Sequence, residues 1–393
     1  MKKIFTILAV AGLALSANAQ KAKVNQARNA VLLQKIDDAK NLIDEALQHE
    51  KTVDLPNTYL VAANVYANVA QKKVDAEAFA KVKEFMAKAE ELDAKGDAKG
   101  KGIGKAQKDI KKTYGELLNV CQNVGVAGFN EKNYNLAKDA FLYSCTCQKV
   151  SMGDAYTPAT DSLLLLNAGI AAIQAGDYTT GAECFTKTFE LDFDGSLSIQ
   201  RVHYCYSMLN DTANMEISLK KGFEKYPADK QILLNLIQFY LNAQRNEDAL
   251  IYLNEAIAKD NTNPIYYYAR GCLFEKIDME KAIEDYNTAL KLNDKHYNTL
   301  YNLAVIYFNK GLDIRNEASN ERDDKKYNAL MSTVQTTMAQ AKPYIERAVE
   351  AAETKELKIE TLKTMKQICY NADPEDKDGK WSWANNLLKE LEQ

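Results

Sequence analysis

The feature of this sequence that most constrains its fold is an aligned position that recurs at a step of 34 residues. It is occupied in turn by Gly169, His203, Ile237 and Gly271, with Ala304 33 residues further on. Three residues after each of them stand Ala172, Tyr206, Tyr240, Phe274 and Tyr307. A period of this length is typical of two-helix units that stack on their neighbours. We therefore predict a helical repeat array.

A second ladder, with steps of 34, 34 and 33 residues, strengthens this prediction. Its first positions are Gly181, Met215, Ala249 and Ala282, followed four residues later by Phe185, Leu219, Leu253 and Tyr286. Residues four apart lie on one face of a helix, so each pair can pack into the groove of a partner helix. With only 17 Gly and 6 Pro in 393 residues, the composition also disfavours a turn-rich β fold.

These two ladders resemble the tetratricopeptide repeat (TPR) family. The resemblance implies an all-α fold, a right-handed α-solenoid of tandem helix-turn-helix repeats. Four further segments resemble exported TPR proteins of Bacteroidetes-type Gram-negative bacteria: a leader ending Ala17-Asn18-Ala19-Gln20, KIDDAKNLIDEALQHEKT, KPYIERAVEAAE and TLKTMKQICYNAD. The family implies a non-catalytic scaffold or adaptor that binds a protein or extended peptide along a concave groove.

The leader and the extent of the repeat pattern divide the chain into four parts. We expect a signal peptide at 1–19, TPR-like helical repeats at 20–115, the main TPR solenoid at 116–350 and capping helices at 351–393. Two segments interrupt the repeats: a Gly/Lys-rich polar loop near 94–105, expected to be mobile or a frayed helix junction, and a helical insertion near 312–340. The insertion is expected to project as lengthened helices, and Pro343 to kink the helix that follows it.

The N-terminus has the three parts of a secretory leader. Lys2 and Lys3 precede an apolar run, and Ala17-Asn18-Ala19 forms a small-x-small cleavage site. The run is too short to span a bilayer, and no second apolar segment of that length follows. The first cysteine is Cys121, which excludes a lipid anchor at the cleavage point. We predict a soluble periplasmic protein that is not a lipoprotein, with association to the outer membrane left open.

Charge and reactive residues exclude several classes of function. The net charge of −4 argues against a nucleic-acid partner. The three histidines, His49, His203 and His296, fall in different repeats, and the sequence contains no catalytic motif. We expect buried packing for His203 and for most of the seven cysteines. The prediction is therefore no enzyme, no cofactor and no metal.

The remaining candidate site is the groove lined by the first helices of successive units. Spacing within the units predicts this lining: Gln200, Tyr204, Gln231, Gln238, Asn242, Tyr268, Glu275, Asn298, Tyr301 and Phe308. Tyr, Asn and Gln are typical of recognition surfaces. Many of these tyrosines could instead seal the packing between units.

Two kinds of ligand fit such a groove. We expect a protein or peptide partner first, with self-association open. The alternative is an oligosaccharide or peptidoglycan fragment stacked on aromatic side chains, with Trp381 and Trp383 as candidates unless they only pack the C-terminal cap.

Overall fold

A computed structural model describes residues 21–97 and 99–392 of the chain. All regular structure in these residues is helical, which confirms the predicted all-α repeat fold. The predicted signal peptide lies outside the described residues. The chain divides into two compact units, the first ending at Tyr226 and the second beginning at Pro227.

The first unit contains ten helices within its described residues. They are α1 (21–32), α2 (Ile36–Leu47), α3 (Pro56–Lys73), α4 (Ala76–Lys95), α5 (Gln107–Asn130), α6 (Tyr134–Met152), α7 (Ser162–Gln174), α8 (Tyr178–Glu190), α9 (Ser196–Met208) and α10 (Thr212–Lys225). Two short 3-10 turns, Gly153–Ala155 and Pro158–Asp161, carry the longer connection from α6 to α7.

The second unit continues the series through its described residues. Its helices are α11 (Lys230–Asn242), α12 (Asn246–Lys259), α13 (Pro264–Phe274), α14 (Met279–Leu292), α15 (Tyr297–Ala318), α16 (Asp324–Ala339), α17 (Lys342–Ala351), α18 (Lys355–Ala372) and α19 (Lys380–Glu392). Consecutive helices pack as pairs, for example α11 with α12 and α13 with α14.

The turn between the two helices of a pair has the same construction in four successive pairs of the first unit. The last residue before the cap adopts a left-handed backbone at Val74, Lys132, Gly176 and Asn210. The next residue caps the second helix by accepting a backbone N–H with its side chain, at Asp75, Asn133, Asp177 and Asp211. A short polar side chain at this place satisfies one of the free N–H groups of the helix. These caps fix where each second helix begins.

The two sequence ladders meet inside each pair. A Cβ added to Gly169 would lie 2.8 Å from Cζ of Phe185, and one added to Gly271 would lie 2.6 Å from Cε1 of Tyr286. Both rings are fully buried. The small residue on the first helix therefore makes room for the aromatic ring on the second, as the spacing predicted.

The helical insertion folds back within the second unit. Helix α15 is lengthened to Ala318, and α16 packs along both α15 and α18 with Val334 and Met338 buried. The repeat pattern resumes in α17, which packs on α15. The expectation of a kink at Pro343 is wrong. Pro343 lies in the first turn of α17, where a backbone N–H has no partner within the helix. The proline is therefore compatible with a straight helix start.

None of the helices among the described residues has the length and apolar character needed to cross a membrane. The non-helical segment between α4 and α5 coincides with the Gly/Lys-rich loop of the sequence. The domain limits drawn from the sequence stay a prediction.

Candidate interaction surface

The predicted groove residues lie on the first helices of the pairs, but in different units. Gln200 and Tyr204 are on α9 of the first unit. The other eight belong to the second unit: Gln231, Gln238 and Asn242 on α11, Tyr268 on α13 with Glu275 at its C-cap, and Asn298, Tyr301 and Phe308 on α15.

In the first unit, Tyr204 is the exposed member of the predicted pair. Its ring meets that of Tyr178 edge-on at 6.1 Å between centroids, and the residue is 44% exposed. Gln200, one turn earlier, is half-buried. Leu197 and Met208 on the same helix are exposed. Helix α9 thus presents one aromatic and two aliphatic side chains to solvent.

A hollow of about 270 Å³ opens between α5, α6 and α7. Its lining consists of Val126, Phe129, Asn130, Phe141, Asn167 and Ile170. Val126 is 51% exposed. The hollow is mainly apolar and carries two side-chain amides, a combination that suits an apolar side chain of a partner whose backbone can hydrogen-bond at the rim.

The predicted groove lining does not include the apolar residues of α5 and α7, nor Leu197 and Met208 of α9. Leu163 and Leu197 are separated by the 34-residue step, and so are Ile170 and Tyr204. The same step from Tyr204 would have found Ile170, and Leu197 lies three residues before the predicted Gln200. The prediction favoured polar and aromatic residues, so it passed over exposed aliphatic ones. We call Val126, Leu163, Ile170, Leu197, Tyr204 and Met208 the apolar first-helix residues.

In the second unit, α11 presents paired amides. Gln231 donates to Oδ1 of Asn235 at 2.9 Å, and Gln238 donates to Oδ1 of Asn242 at 2.7 Å. The two residues of each pair are four positions apart on the same helix, and Gln231, Gln238 and Asn242 are exposed. The pairs order the amides while leaving further donors and acceptors available to a ligand.

Tyr268 and Glu275 are part of a polar cluster between α13, α14 and α15. The hydroxyl of Tyr286 donates to the Glu275 carboxylate, and Asn302 donates to the Tyr286 hydroxyl at 3.1 Å. The Tyr268 ring meets His296 edge-on at 4.9 Å, and burial raises the pKa of its hydroxyl. These two predicted groove residues are therefore engaged in joining neighbouring helices.

Two tyrosines of α15 hydrogen-bond to α18. The hydroxyl of Tyr297 lies 2.8 Å from Oγ1 of Thr361, and that of Tyr301 lies 3.1 Å from Oγ1 of Thr364. Phe308 is half-buried against the apolar core of this unit. Asn298 is exposed. In this unit, Tyr268, Tyr301 and Phe308 all pack between helices, which is the alternative that the sequence left open.

Five of the seven cysteines are buried, and Cys145 and Cys272 are half-buried. Burial raises the pKa of Cys184 to about 11 and those of Cys145, Cys205 and Cys369 to about 12. These thiols are protonated at neutral pH and so lack the thiolate that nucleophilic chemistry requires. Within residues 21–97 and 99–392, no three His, Cys, Asp or Glu side chains cluster as a metal site.

The fold defines a class, the helical repeat proteins. The model of the tetratricopeptide repeat family matches residues 213–264. A TPR repeat-containing protein of Methanocaldococcus jannaschii is 27% identical over 147 residues, which is 37% of this chain and 20% of that protein. The small glutamine-rich TPR-containing protein of Dictyostelium discoideum is 33% identical over 93 residues, 23% of this chain and 27% of that protein.

Two solved structures are also similar. A TPR repeats protein of Bacteroides fragilis has 19% identity and a TM-score of 0.35, covering 64% of this chain and 97% of that one. The C-terminal part of a TPR repeat-containing protein of Cytophaga hutchinsonii has 15% identity and a TM-score of 0.42, covering 68% and 93%.

The family match over residues 213–264 and the two curated relatives confirm the predicted resemblance to the TPR family. The chain spans about a fifth and about a quarter of the two curated relatives. The TPR fold suggests a protein-interaction scaffold.

Proposed function

We propose that this protein is a non-catalytic periplasmic scaffold that binds a protein or extended peptide through its first helices, as an adaptor or assembly factor of the cell envelope. The observation that carries the proposal is the exposure of apolar side chains on successive first helices, Val126 on α5, Leu163 on α7 and Leu197, Tyr204 and Met208 on α9. Val126 and the half-buried Ile170 also line the hollow between α5, α6 and α7. Exposed apolar side chains and a mainly apolar hollow are typical of protein-binding sites. The leader pattern at 1–19 supports the periplasmic location.

The experiment is in-cell photo-crosslinking from the proposed surface. A crosslinking amino acid replaces Tyr204 on α9 in one strain and Ile217 on α10 in another, both exposed positions of the first unit. We expect a discrete protein adduct from position 204 and none from position 217. Equal capture from both positions, or none from either, would reject the first helices as the docking surface.

A pair of matched substitutions tests the apolar character of the site. Val126→Glu places a charge at the hollow, whereas Ile217→Glu places the same charge on a second helix of the same unit. We expect the first variant to lose the adduct at position 204 and the second to keep it. Both sites are exposed, so neither change should unfold the chain, which circular dichroism checks.

A second candidate, binding of an oligosaccharide or peptidoglycan fragment, has its own observation. A hollow of about 440 Å³ on α18 and α19 is lined by Lys363, Lys366, Gln367, Tyr370, Asn371 and Trp381. Aromatic rings beside amides and amines suit a sugar that carries acidic groups. Titration with soluble peptidoglycan fragments should show binding that Tyr370→Ala abolishes and that Trp383→Ala, an exposed aromatic nearby in sequence, preserves.

A further inference from the structure

The loop between α4 and α5 is held in shape by two aspartates. Asp93, only 2% exposed, accepts the backbone N–H of Ala106 and the Gln107 side-chain amide, both at 2.7 Å. Asp97 accepts the backbone N–H groups of Lys99 and Lys101 at 2.9 and 2.8 Å. Asp97 therefore accepts hydrogen bonds from the loop backbone, and Asp93 accepts them from the backbone of Ala106 and the side chain of Gln107. Neither carboxylate forms an ion pair with a lysine in the described part of the chain.

This segment concentrates positive charge in a chain whose net charge is −4. Residues 95–112 contain seven lysines and two aspartates. Lys95 pairs with Glu91 and Lys112 with Glu116. The other five have no ion pair among the described residues and are exposed: Lys99, Lys101, Lys105, Lys108 and Lys111. We call these five side chains the basic patch.

The placement of the patch is unfavourable for the protein by itself. Lys108 and Lys111 lie in the first turns of α5, where the helix dipole disfavours positive charge. Asp54 and Asp109 line an adjoining hollow and offset part of the charge without pairing with it. The positive charge of the basic patch is thus available to bind an anionic partner.

An apolar side chain stands in the middle of this charge. Ile103 is 60% exposed and is flanked by Gly102 and Gly104, both with positive φ. A single exposed isoleucine is ordinary. An exposed isoleucine framed by unpaired lysines is the arrangement that suits a lipid headgroup layer, since the ring of charge holds phosphates while the apolar group enters below them.

We propose that the basic patch and Ile103 bind the surface of a bilayer that contains anionic phospholipids. The lysine ammonium groups contact lipid phosphates, and Ile103 inserts at the headgroup level. This surface lies on the α4–α5 loop of the first unit, apart from the apolar first-helix residues, so the proposal goes beyond the scaffold function and can fail independently of it.

The test is co-sedimentation of the chain from Gln20 onward with extruded vesicles. One set contains equal parts phosphatidylglycerol and phosphatidylcholine, and the other contains phosphatidylcholine alone. We expect binding to the first set that weakens as salt rises, and none to the second. Binding to both sets alike, or to neither, would overturn the proposal.

Matched variants locate the binding. The patch variant is Lys99→Gln with Lys101→Gln and Lys105→Gln, and its charge-matched control is Lys325→Gln with Lys326→Gln and Lys355→Gln, three exposed lysines of the second unit. Each patch lysine should contribute a factor of about 5 to partitioning, so the patch variant should bind about 100-fold more weakly. Equal losses in the two triple variants would reject the patch.

The apolar contribution has its own matched pair. Ile103→Ser should lower binding several-fold at every salt concentration, whereas Ile251→Ser, which removes an isoleucine with the same 60% exposure, should leave it unchanged. A soluble polyanion, dextran sulfate, separates a membrane from a generic anion. Equal affinity for dextran sulfate together with no effect of Ile103→Ser would assign the patch to soluble polyanions and overturn the membrane proposal.

Discussion

At the scale of single residues, Arg270 pairs with a carboxylate that is nearly buried. Its guanidinium donates to both carboxylate oxygens of Asp285 at 2.7 Å, and to Asn254 at 2.7 Å. Asp285 is only 5% exposed. The arginine therefore connects α12, α13 and α14, and it also compensates a carboxylate that water barely reaches.

Removing the arginine should be costly because the carboxylate would stay behind. We expect Arg270→Met to destabilise the protein by about 3–5 kcal/mol, the usual cost of leaving a buried charge unpaired. The double variant Arg270→Met/Asp285→Leu should recover most of that loss. Urea unfolding of the second unit measures both. As a reference, Lys112→Met breaks an exposed pair with Glu116 and should cost about 0.5 kcal/mol or less.

His203 gives the stability a dependence on pH. It is half-buried on α9, its Nδ1 has no hydrogen-bond partner in the described part of the chain, and burial lowers its pKa below the ordinary 6.5. Below pH 6.5 the unfolded chain takes up a proton that the folded chain resists. Stability from this group is therefore complete above pH 6.5 and is lost as the pH falls toward the folded pKa.

We expect the free energy of unfolding to decrease between pH 7.5 and pH 5. In the His203→Gln variant, the free energy of unfolding should decrease by less over the same range. His296, whose pKa burial also lowers, should account for part of the remainder. Urea titrations at both pH values give the comparison. An unchanged pH dependence in His203→Gln would mean that the imidazole is hydrated in the folded protein.

At the scale of elements, the helix pairs were predictable and the contacts between pairs were not. The two sequence ladders predicted the contacts of Gly169 with Phe185 and of Gly271 with Tyr286, because both partners of each contact belong to one repeat. Tyr301 meets Thr364, 63 residues away, and no periodic pattern identifies that bond. The sequence therefore predicts Tyr301 in the groove lining, but it does not predict the hydrogen bond by which Tyr301 joins α15 to α18. Exposed apolar residues were missed because the prediction weighed residue type above position.

Two of the three glycines of helix α5 have opposite surroundings. A Cβ at Gly125 would lie 2.7 Å from Cε1 of Phe141, a buried ring, whereas a Cβ at Gly115 would lie 3.6 Å from Cβ of Ser151. Overpacking a core costs about 1–3 kcal/mol. Replacing a helical glycine by alanine gains about 1 kcal/mol where space allows.

We therefore predict opposite signs for the same substitution on one helix. Gly125→Ala should lower the unfolding midpoint, and Gly115→Ala should raise it. Thermal or urea unfolding followed by circular dichroism decides this. The double variant Gly125→Ala/Phe141→Leu should recover part of the loss. A stabilised Gly125→Ala variant would show that the Phe141 ring shifts at little cost.

At the scale of the whole molecule, each compact unit has its own apolar core. In the first unit, buried clusters run from Val24 to Cys147 and from Ala137 to Cys184, and in the second a cluster runs from Ala282 to Leu388. The boundary at Tyr226 and Pro227 falls in the turn between α10 and α11, so a cut there interrupts no helix. In a repeat array, stability is the sum of the repeats and the interfaces between neighbours.

The chain from Gln20 to Tyr226 should consequently fold when produced alone. We expect helical circular dichroism and a cooperative urea transition, because the helix pairs of this unit keep their internal neighbours.

A chain ending at Met208 is the matched control. It loses α10, whose Leu219 and Phe223 are buried, and so uncovers the face of α9 on which α10 packs. The shorter chain should show a lower midpoint or aggregate. Equal stability of the two would mean that α10 adds nothing to the unit, and an unfolded 20–226 chain would mean that the first unit needs the second in order to fold.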